Sequence, residues 1–220
     1  MATFPSKKFD LVLPSYGGGC SAISLALLGA SKSGKTTLMK YIYNEHFKKC
    51  VSVMFTMNSH IDIYKDVSKK ILISDSYHPE LLREAHEINK CCDNKFPFLF
   101  IFDDFIDPKA KMDVELTKCL TIYRNGNTNS IFSVQARTLM SSVGRNNINY
   151  ICVFKQHTPK EWECVIKEFL SMWMPSDMTM REMIEFCMLA TKDHAFFFID
   201  NLKGECYLSK LNKEQIESMD

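Results

Sequence analysis

Nowhere does the sequence run apolar for the roughly 18 residues that a membrane-spanning helix needs. The first residues, Met-Ala-Thr-Phe-Pro-Ser-Lys-Lys, hold no apolar signal core, so neither secretion by that route nor a membrane span of its own is expected. Charge of neither sign is in excess: 27 Lys and Arg against 26 Asp and Glu leave +1. No overall basic field advertises a nucleic-acid partner, and DNA contact would need local patches or a surface built by several subunits. The chain has no internal repeat, low-complexity tract or Pro/Gly-rich linker. Its nine cysteines include no C-x-x-C pair and no histidine at a zinc-like spacing. A reduced, intracellular protein that uses thiols as small core residues is therefore expected.

What remains is ordinary globular material. With 220 residues, 46% apolar and 24% charged, the chain suits one α/β domain with a sizeable core. Strands and helices alternate along it. Strands are expected at about 23–28, 50–56, 98–102, 130–134 and 148–154, with a short edge strand at 70–73. Helices are expected from the end of the first strand to about 47, then at 79–91, 111–124, 159–172 and 179–190. The chain closes with strands at 195–199 and 205–208 around a turn at 201–204. This alternation predicts a mainly parallel sheet flanked by helices, with an antiparallel C-terminal hairpin at one edge. Gly17-Gly-Gly19 precedes its strand and reads as a flexible turn leading into it. Residues 1–22 are taken as an N-terminal arm and 23–220 as the domain.

Between the first strand and its helix stands Gly29-Ala30-Ser31-Lys32-Ser33-Gly34-Lys35-Thr36, a complete G-x-x-x-x-G-K-[ST] phosphate-binding loop. Its backbone N–H groups are expected to wrap phosphates at a helix N-terminus, where the dipole favours negative charge. The nucleotide-binding set is then Gly29, Ala30, Ser31, Lys32, Ser33, Gly34, Lys35, Thr36 and Thr37. Lys35 would reach the β- and γ-phosphates of ATP, and the Thr36 hydroxyl would ligate Mg²⁺.

Phe98-Leu-Phe-Ile-Phe102-Asp103-Asp104 is a buried strand that ends in two acids. Ligands in such sheets sit beyond the carboxyl ends of the strands, so the pair faces the crevice of the phosphate loop. Asp103 is placed to hold Mg²⁺, directly or through water, and Asp104 to orient and deprotonate an attacking water. The other reading of such a pair is a cap on the helix that follows. Gln135, directly after strand 130–134, can bond the γ-phosphate or its water without competing for the metal; the alternative is a polar residue that simply ends a strand. Arg124, at the end of the preceding helix, is a candidate arginine finger for a neighbouring subunit. Its alternative is a solvated helix terminus, where cations are favoured.

The order GxxxxGKT, an apolar strand closing in Asp-Asp, then Arg124 and Gln135 with ten residues between, resembles the FtsK–HerA superfamily. The branch it most looks like is the poxvirus-type genome-packaging ATPases of large DNA viruses, virophages and related internal-membrane viruses. Gly144-Arg-Asn-Asn-Ile-Asn-Tyr-Ile-Cys-Val-Phe154 is similar to that group's Arg-Asn segment before its fifth core strand. His194-Ala-Phe-Phe-Phe-Ile-Asp200 is similar to its late hydrophobic strand closing in Asp. Many members carry Gly-Arg-His where this chain has Tyr123-Arg124-Asn125.

The resemblance covers about 23–210 and implies a RecA-like (ASCE) P-loop NTPase fold. It implies an ATP hydrolase that translocates double-stranded DNA into a viral capsid, as a homo-oligomeric ring of five or six subunits. A capsid-vertex or virion-membrane protein is the implied further partner. The place of action would be the host cell interior at assembly sites, in cytoplasm or nucleus, or the virion. The rival reading is a small P-loop nucleoside or nucleotide kinase, but no compact Arg-rich lid is present, only single arginines such as Arg137, Arg145 and Arg181. A third is an assembly factor that binds ATP and hydrolyses it slowly, which the intact Asp103-Asp104 pair opposes.

Thr191-Lys-Asp-His194 echoes a guanine-specificity motif but has His194 where the final Asp is needed. The methionines at 172, 174, 178, 180, 183 and 188, with Trp162 and Trp173, read as core packing, with a docking surface as the alternative. Lys65, Lys69, Lys70, Lys109, Lys111 and Lys118 read as mostly solvated, some of them lining a DNA channel after ring assembly.

Overall fold

Burial along the central strands explains their unbroken apolar runs. In the strand before the phosphate loop, Leu25 and Leu27 join one core while Ala26 and Leu28 join the other, because successive side chains point to opposite faces. A strand covered on both faces has no polar side, which is why its sequence does not alternate. The computed structural model describes residues 4–16, 19–20, 22–57, 64, 67, 71–104, 113–135 and 142–218.

A two-stranded ribbon, β1 (Ser15–Tyr16) and β2 (Gly19–Cys20), precedes the main sheet; Gly17 and Gly18 of the expected turn lie outside the described residues. The sheet strands are β3 (Ser24–Leu28), β4 (Val51–Phe55), β5 (Ile71–Ser74), β6 (Phe98–Asp103), β7 (Thr128–Val134), β8 (Tyr150–Val153), β9 (Phe196–Asp200) and β10 (Glu205–Ser209). Their order is β10-β9-β8-β3-β7-β6-β4-β5. From β8 to β5 all neighbours run parallel, while β9 is antiparallel to both β8 and β10. This is the expected fold, a mainly parallel sheet flanked by helices with the hairpin at its edge.

The helices are α1 (Lys35–Ile42), α2 (Pro79–Cys91), α3 (Val114–Thr121), α4 (Ser142–Asn146), α5 (Pro159–Val165), α6 (Met180–Ala190) and α7 (Lys213–Glu217). α1 continues as a wider turn through Tyr43–Phe47. It covers one face of the sheet with Leu38, Met39 and Ile42. The other face is covered from α2, α3, α5 and α6 by Leu82, Leu116, Cys119, Trp162 and Cys187. Thr158 and Thr179 start α5 and α6 with capping boxes to Glu161 and Glu182. Asp113 caps α3 by accepting from the Leu116 N–H at 3.0 Å. The cap on that helix is thus Asp113, and Asp103 and Asp104 are free of that duty.

Residues 4–11, read from sequence as part of an arm, are built into the domain. The Lys7 N–H donates to the Leu208 carbonyl, and the Leu208 N–H donates to the Pro5 carbonyl, both at 3.0 Å, so the segment runs parallel to β10. Phe9 and Leu11 are 1% and 2% exposed, and the Phe9 ring lies edge-on to Phe196 and Phe198 at 5.5 Å. In the Met-rich pair of helices, Trp162 is fully buried and Met174 nearly so, in keeping with core packing, while Met172 is 77% exposed. Lys118 pairs with Glu115, and Lys65, Lys69, Lys70, Lys109 and Lys111 lie outside the described residues. Among the described residues no helix is long and apolar enough to cross a membrane.

Candidate functional site

The phosphate loop is suspended between strands. The Gly29 N–H donates to the Val134 carbonyl of β7 at 3.2 Å, and the Ala30 N–H to the Lys155 carbonyl after β8 at 2.8 Å. Gly29 must be glycine because a Cβ there would lie 2.6 Å from the Phe154 Cβ. Gly34 has φ +107° and starts α1 with no side-chain cap, so the first amides of that helix stay available to an anion. The Ser33 hydroxyl is likewise buried without a partner inside the loop. Lys35 is 4% exposed, and its ammonium donates to the Gly29 and Ala30 carbonyls at 2.8 Å each. Burial pulls its pKa below the usual lysine value, while Asp104 and Asp103 pull it back up.

β7 lies between β3 and β6, so Gln135 leaves the sheet between the loop and the two acids. Its side-chain amide donates to Asp104 Oδ1 at 3.2 Å. Asp104 follows the last strand residue in a left-handed conformation, φ 48°, with its N–H held by the Ser133 carbonyl at 3.0 Å. This turns it away from the strand and into the cavity wall. Asp103 stays in the strand, 1% exposed. Its Oδ2 accepts from the Tyr64 hydroxyl at 2.7 Å and the Thr36 hydroxyl at 3.3 Å. Burial pushes its carboxyl above the usual carboxylate range, against hydroxyl donors that favour the charge. The structure thus brings together Lys35, Thr36, Asp103, Asp104 and Gln135.

Arg124 is not among them. It lies in a short turn, Tyr123–Gly126, at the opposite edge of the sheet, where Nη1 donates to Asn149 Oδ1 at 2.9 Å. From Thr128 to Gln135 at roughly 3.3 Å per residue is about 23 Å, several times the reach of an arginine side chain. Arg124 therefore cannot serve the phosphate loop of its own chain. Arg137 lies outside the described residues, and Arg145 is paired with Glu168.

Sequence reasoning missed the far wall of the site. A cavity of about 660 Å³ runs from Ser31–Leu38 to Phe154, His194, Phe196, Lys210, Leu211 and Ile216, with Tyr64 and Asp104 also in its lining. Because β9 is antiparallel, its first residues lie at the loop edge of the sheet, which carries His194 onto Gly34. His194 Nδ1 is 3.2 Å from the Ser33 carbonyl; since a carbonyl only accepts, Nδ1 carries the proton. Asp193 and His194 both have left-handed φ, 53° and 64°, a conformation that Asp and His adopt more readily than most residues other than glycine. The Ser31 N–H donates to His157 Nε2 at 3.3 Å. The signal in the sequence is the Thr191-Lys-Asp-His194 peptide, which fails as a guanine-specificity motif but lies against the loop at Gly34.

The oxygen donors of Thr36 and Asp103 fit a hard cation such as Mg²⁺, which takes few protein ligands and keeps water and substrate oxygens. Asp103 Oδ1 is buried without a hydrogen-bond partner of its own; the Ser133 hydroxyl lies near enough to favour its charge but out of bonding geometry. Among the described residues no group of three or more His, Cys, Asp or Glu gathers to hold a metal by itself.

Comparison with known proteins extends these observations. Among solved structures, the genome packaging NTPase B204 from Sulfolobus turreted icosahedral virus 2, in complex with AMPPCP, has a TM-score of 0.63 at 18% identity, covering 87% of this chain and 98% of that one. The pCW3 conjugation coupling protein TcpA, in its monomer form with ATPgS, has a TM-score of 0.63 at 10% identity, covering 99% and 74%. EssC (ATPases 2 and 3) from Geobacillus thermodenitrificans has a TM-score of 0.58 at 10% identity, covering 89% and 42%. At these identities the likeness is one of fold. No curated protein matches the chain. A family model, Poxvirus A32 protein, matches residues 20–197, a span that holds the phosphate loop, both acids, Arg124, Gln135 and His194. The chain belongs to the Poxvirus A32 protein family.

Proposed function

We propose that this protein is an ATP-hydrolysing motor that drives viral double-stranded DNA into a capsid. The observation that carries the reading is Gln135, bonded to Asp104 and emerging between the phosphate loop and the acids. Such an arrangement handles a water molecule at the terminal phosphate. Family membership supports the packaging role, as does the shared fold with an NTPase described as genome packaging.

In this reading the loop amides from Gly29 to Thr37 hold the phosphates, and Lys35 leaves the Gly29 and Ala30 carbonyls for the β- and γ-phosphates. Thr36 and Asp103 hold Mg²⁺, which when bound supplies positive charge against the phosphate oxygens. Asp104 takes the proton of the attacking water, and Gln135 fixes the water and the carboxylate relative to each other. Base and ribose occupy the far wall, from His194 to Ile216. Arg124 acts in trans on a neighbour's site, in a homo-oligomeric ring of five or six subunits. The DNA runs through that ring, docked at a capsid vertex or virion-membrane protein, at assembly sites inside the host cell.

The test is ATP turnover with and without double-stranded DNA, across a salt series, beside phosphate transfer to nucleosides. DNA-stimulated hydrolysis that weakens as salt rises is expected, since phosphate contacts release counterions. Rapid phosphate transfer to a nucleoside with no response to DNA would instead make the protein a kinase.

A further inference from the structure

Tyr64 has no place in the sequence reading, yet its hydroxyl makes a short contact to the buried Asp103 carboxylate, 2.7 Å to Oδ2. Tyr64 is 6% exposed and lies in the connection between β4 and β5. It also meets the Thr56 hydroxyl, at the end of β4, at 3.2 Å. The direction of this chain of hydroxyls is fixed by proton count. A carboxylate only accepts, so the single Tyr64 hydrogen goes to Asp103, and Thr56 must donate to the Tyr64 oxygen. The two donations run the same way and polarise each other toward Asp103.

Oδ2 is the Asp103 oxygen that also faces Thr36, at the longer distance of 3.3 Å. The Thr36 contact is long and easily exchanged; the Tyr64 contact is short, buried and charge-assisted, and fixes the rotamer. We propose that Tyr64, backed by Thr56, is a positioning residue for the cation site, holding the Asp103 carboxylate in the orientation that receives Mg²⁺. A partner of a metal-holding group typically changes metal affinity by about 10–100-fold when removed. The inference rests on reading this cavity as the ATP site.

The test uses the full-length chain and a fluorescent ATP analogue, with affinity measured in EDTA and across a Mg²⁺ titration. Wild type should bind in EDTA and bind more tightly as Mg²⁺ rises. Tyr64→Phe should keep its EDTA affinity within about twofold while the half-effective Mg²⁺ concentration rises about 10–100-fold. Thr56→Val, which removes only the outer donor, should move the same midpoint by a smaller factor in the same direction, and it serves if Tyr64→Phe does not fold. Lys35→Ala should lose affinity in both conditions. Unchanged Mg²⁺ midpoints in the variants overturn the proposal while leaving the ATP site standing. An equal loss with and without Mg²⁺ in Tyr64→Phe also overturns it, since that marks a collapsed pocket. No nucleotide binding by wild type, or binding that ignores Lys35→Ala, refutes the ATP-site reading itself, and the proposal with it.

Discussion

Lys35→Ala is expected to weaken the protein before any nucleotide is added. The Lys35 ammonium is buried and donates to two carbonyls of its own loop at 2.8 Å, so it braces the loop besides the phosphate role proposed for it. A hydrogen bond from a charged donor contributes about 1.5–3 kcal/mol. Against two such bonds stands relief from burying the ammonium, the cause that lowers its pKa. A net loss of about 2 kcal/mol remains, which for a chain of this size lowers Tm by about 4–8 °C. ATP at a hundred times its Kd stabilises wild type by about 2.7 kcal/mol, or roughly 5–11 °C. The variant should gain almost none of that, so the gap between the two proteins should roughly double when ATP is present. Thermal unfolding with and without ATP reads both effects. A ligand-free Tm within about 1 °C of wild type refutes the bracing role, and an undiminished ATP shift refutes the assignment of Lys35 to the phosphates.

Three further outcomes follow from the same geometry. Asp104→Asn should keep ATP binding while single-turnover hydrolysis falls by a factor on the order of 10²–10⁴, and wild-type turnover would remove Asp104 as the base. Arg124→Ala should cost on the order of 10³-fold or more in turnover with little change in ATP affinity. Mixing it with Asp104→Asn subunits should restore part of the activity, whereas mixed rings without recovery would make Arg124 a structural partner of Asn149. Under native conditions iodoacetamide should label Cys91, which is exposed, ahead of Cys50, Cys119, Cys187 and Cys206. Burial raises the Cys50 thiol to about 11 and the other three to about 12, which keeps them protonated. Mass spectrometry of the labelled peptides decides it, and early labelling of Cys119 would contradict the described core.

The near face of the site was legible because its chemistry is local. Gly29 to Thr36 is one continuous peptide, Asp103 and Asp104 end one strand, and Gln135 ends another. Strand-end residues of a parallel sheet necessarily share an edge, so three separate peptides could be brought together without coordinates. α2 was found at its observed bounds, because Pro79 opens it and its apolar period is clear. The far wall was not legible. His194 belongs there because β9 runs antiparallel, and the burial of Phe196, Phe197 and Phe198 on both faces removes the pattern that would reveal a strand's neighbours. Tyr64 reaches Asp103 from a connection with no period at all. α7, absent from the sequence reading, is only five residues long, held by its Asn212–Gln215 capping box and by Gln215 bonding Phe9 and Tyr41. Such ties between distant residues leave no trace in local pattern.

The pairing of residues 5–9 with the last strand sets an order of events during synthesis. Ser209 donates to the Lys7 carbonyl across 202 positions, and Gln215 to the Phe9 carbonyl across 206. Phe9 is therefore made long before its aromatic neighbours Phe196 and Phe198. Contacts between residues so far apart in sequence form slowly, and until they form Phe9 and Leu11 have no core to enter. The same late step seats Leu211 and Ile216 against the cavity, so the wall opposite the phosphate loop forms last. A chain cut before Leu211 would thus lack the wall that faces the Ser31–Leu38 loop across the cavity.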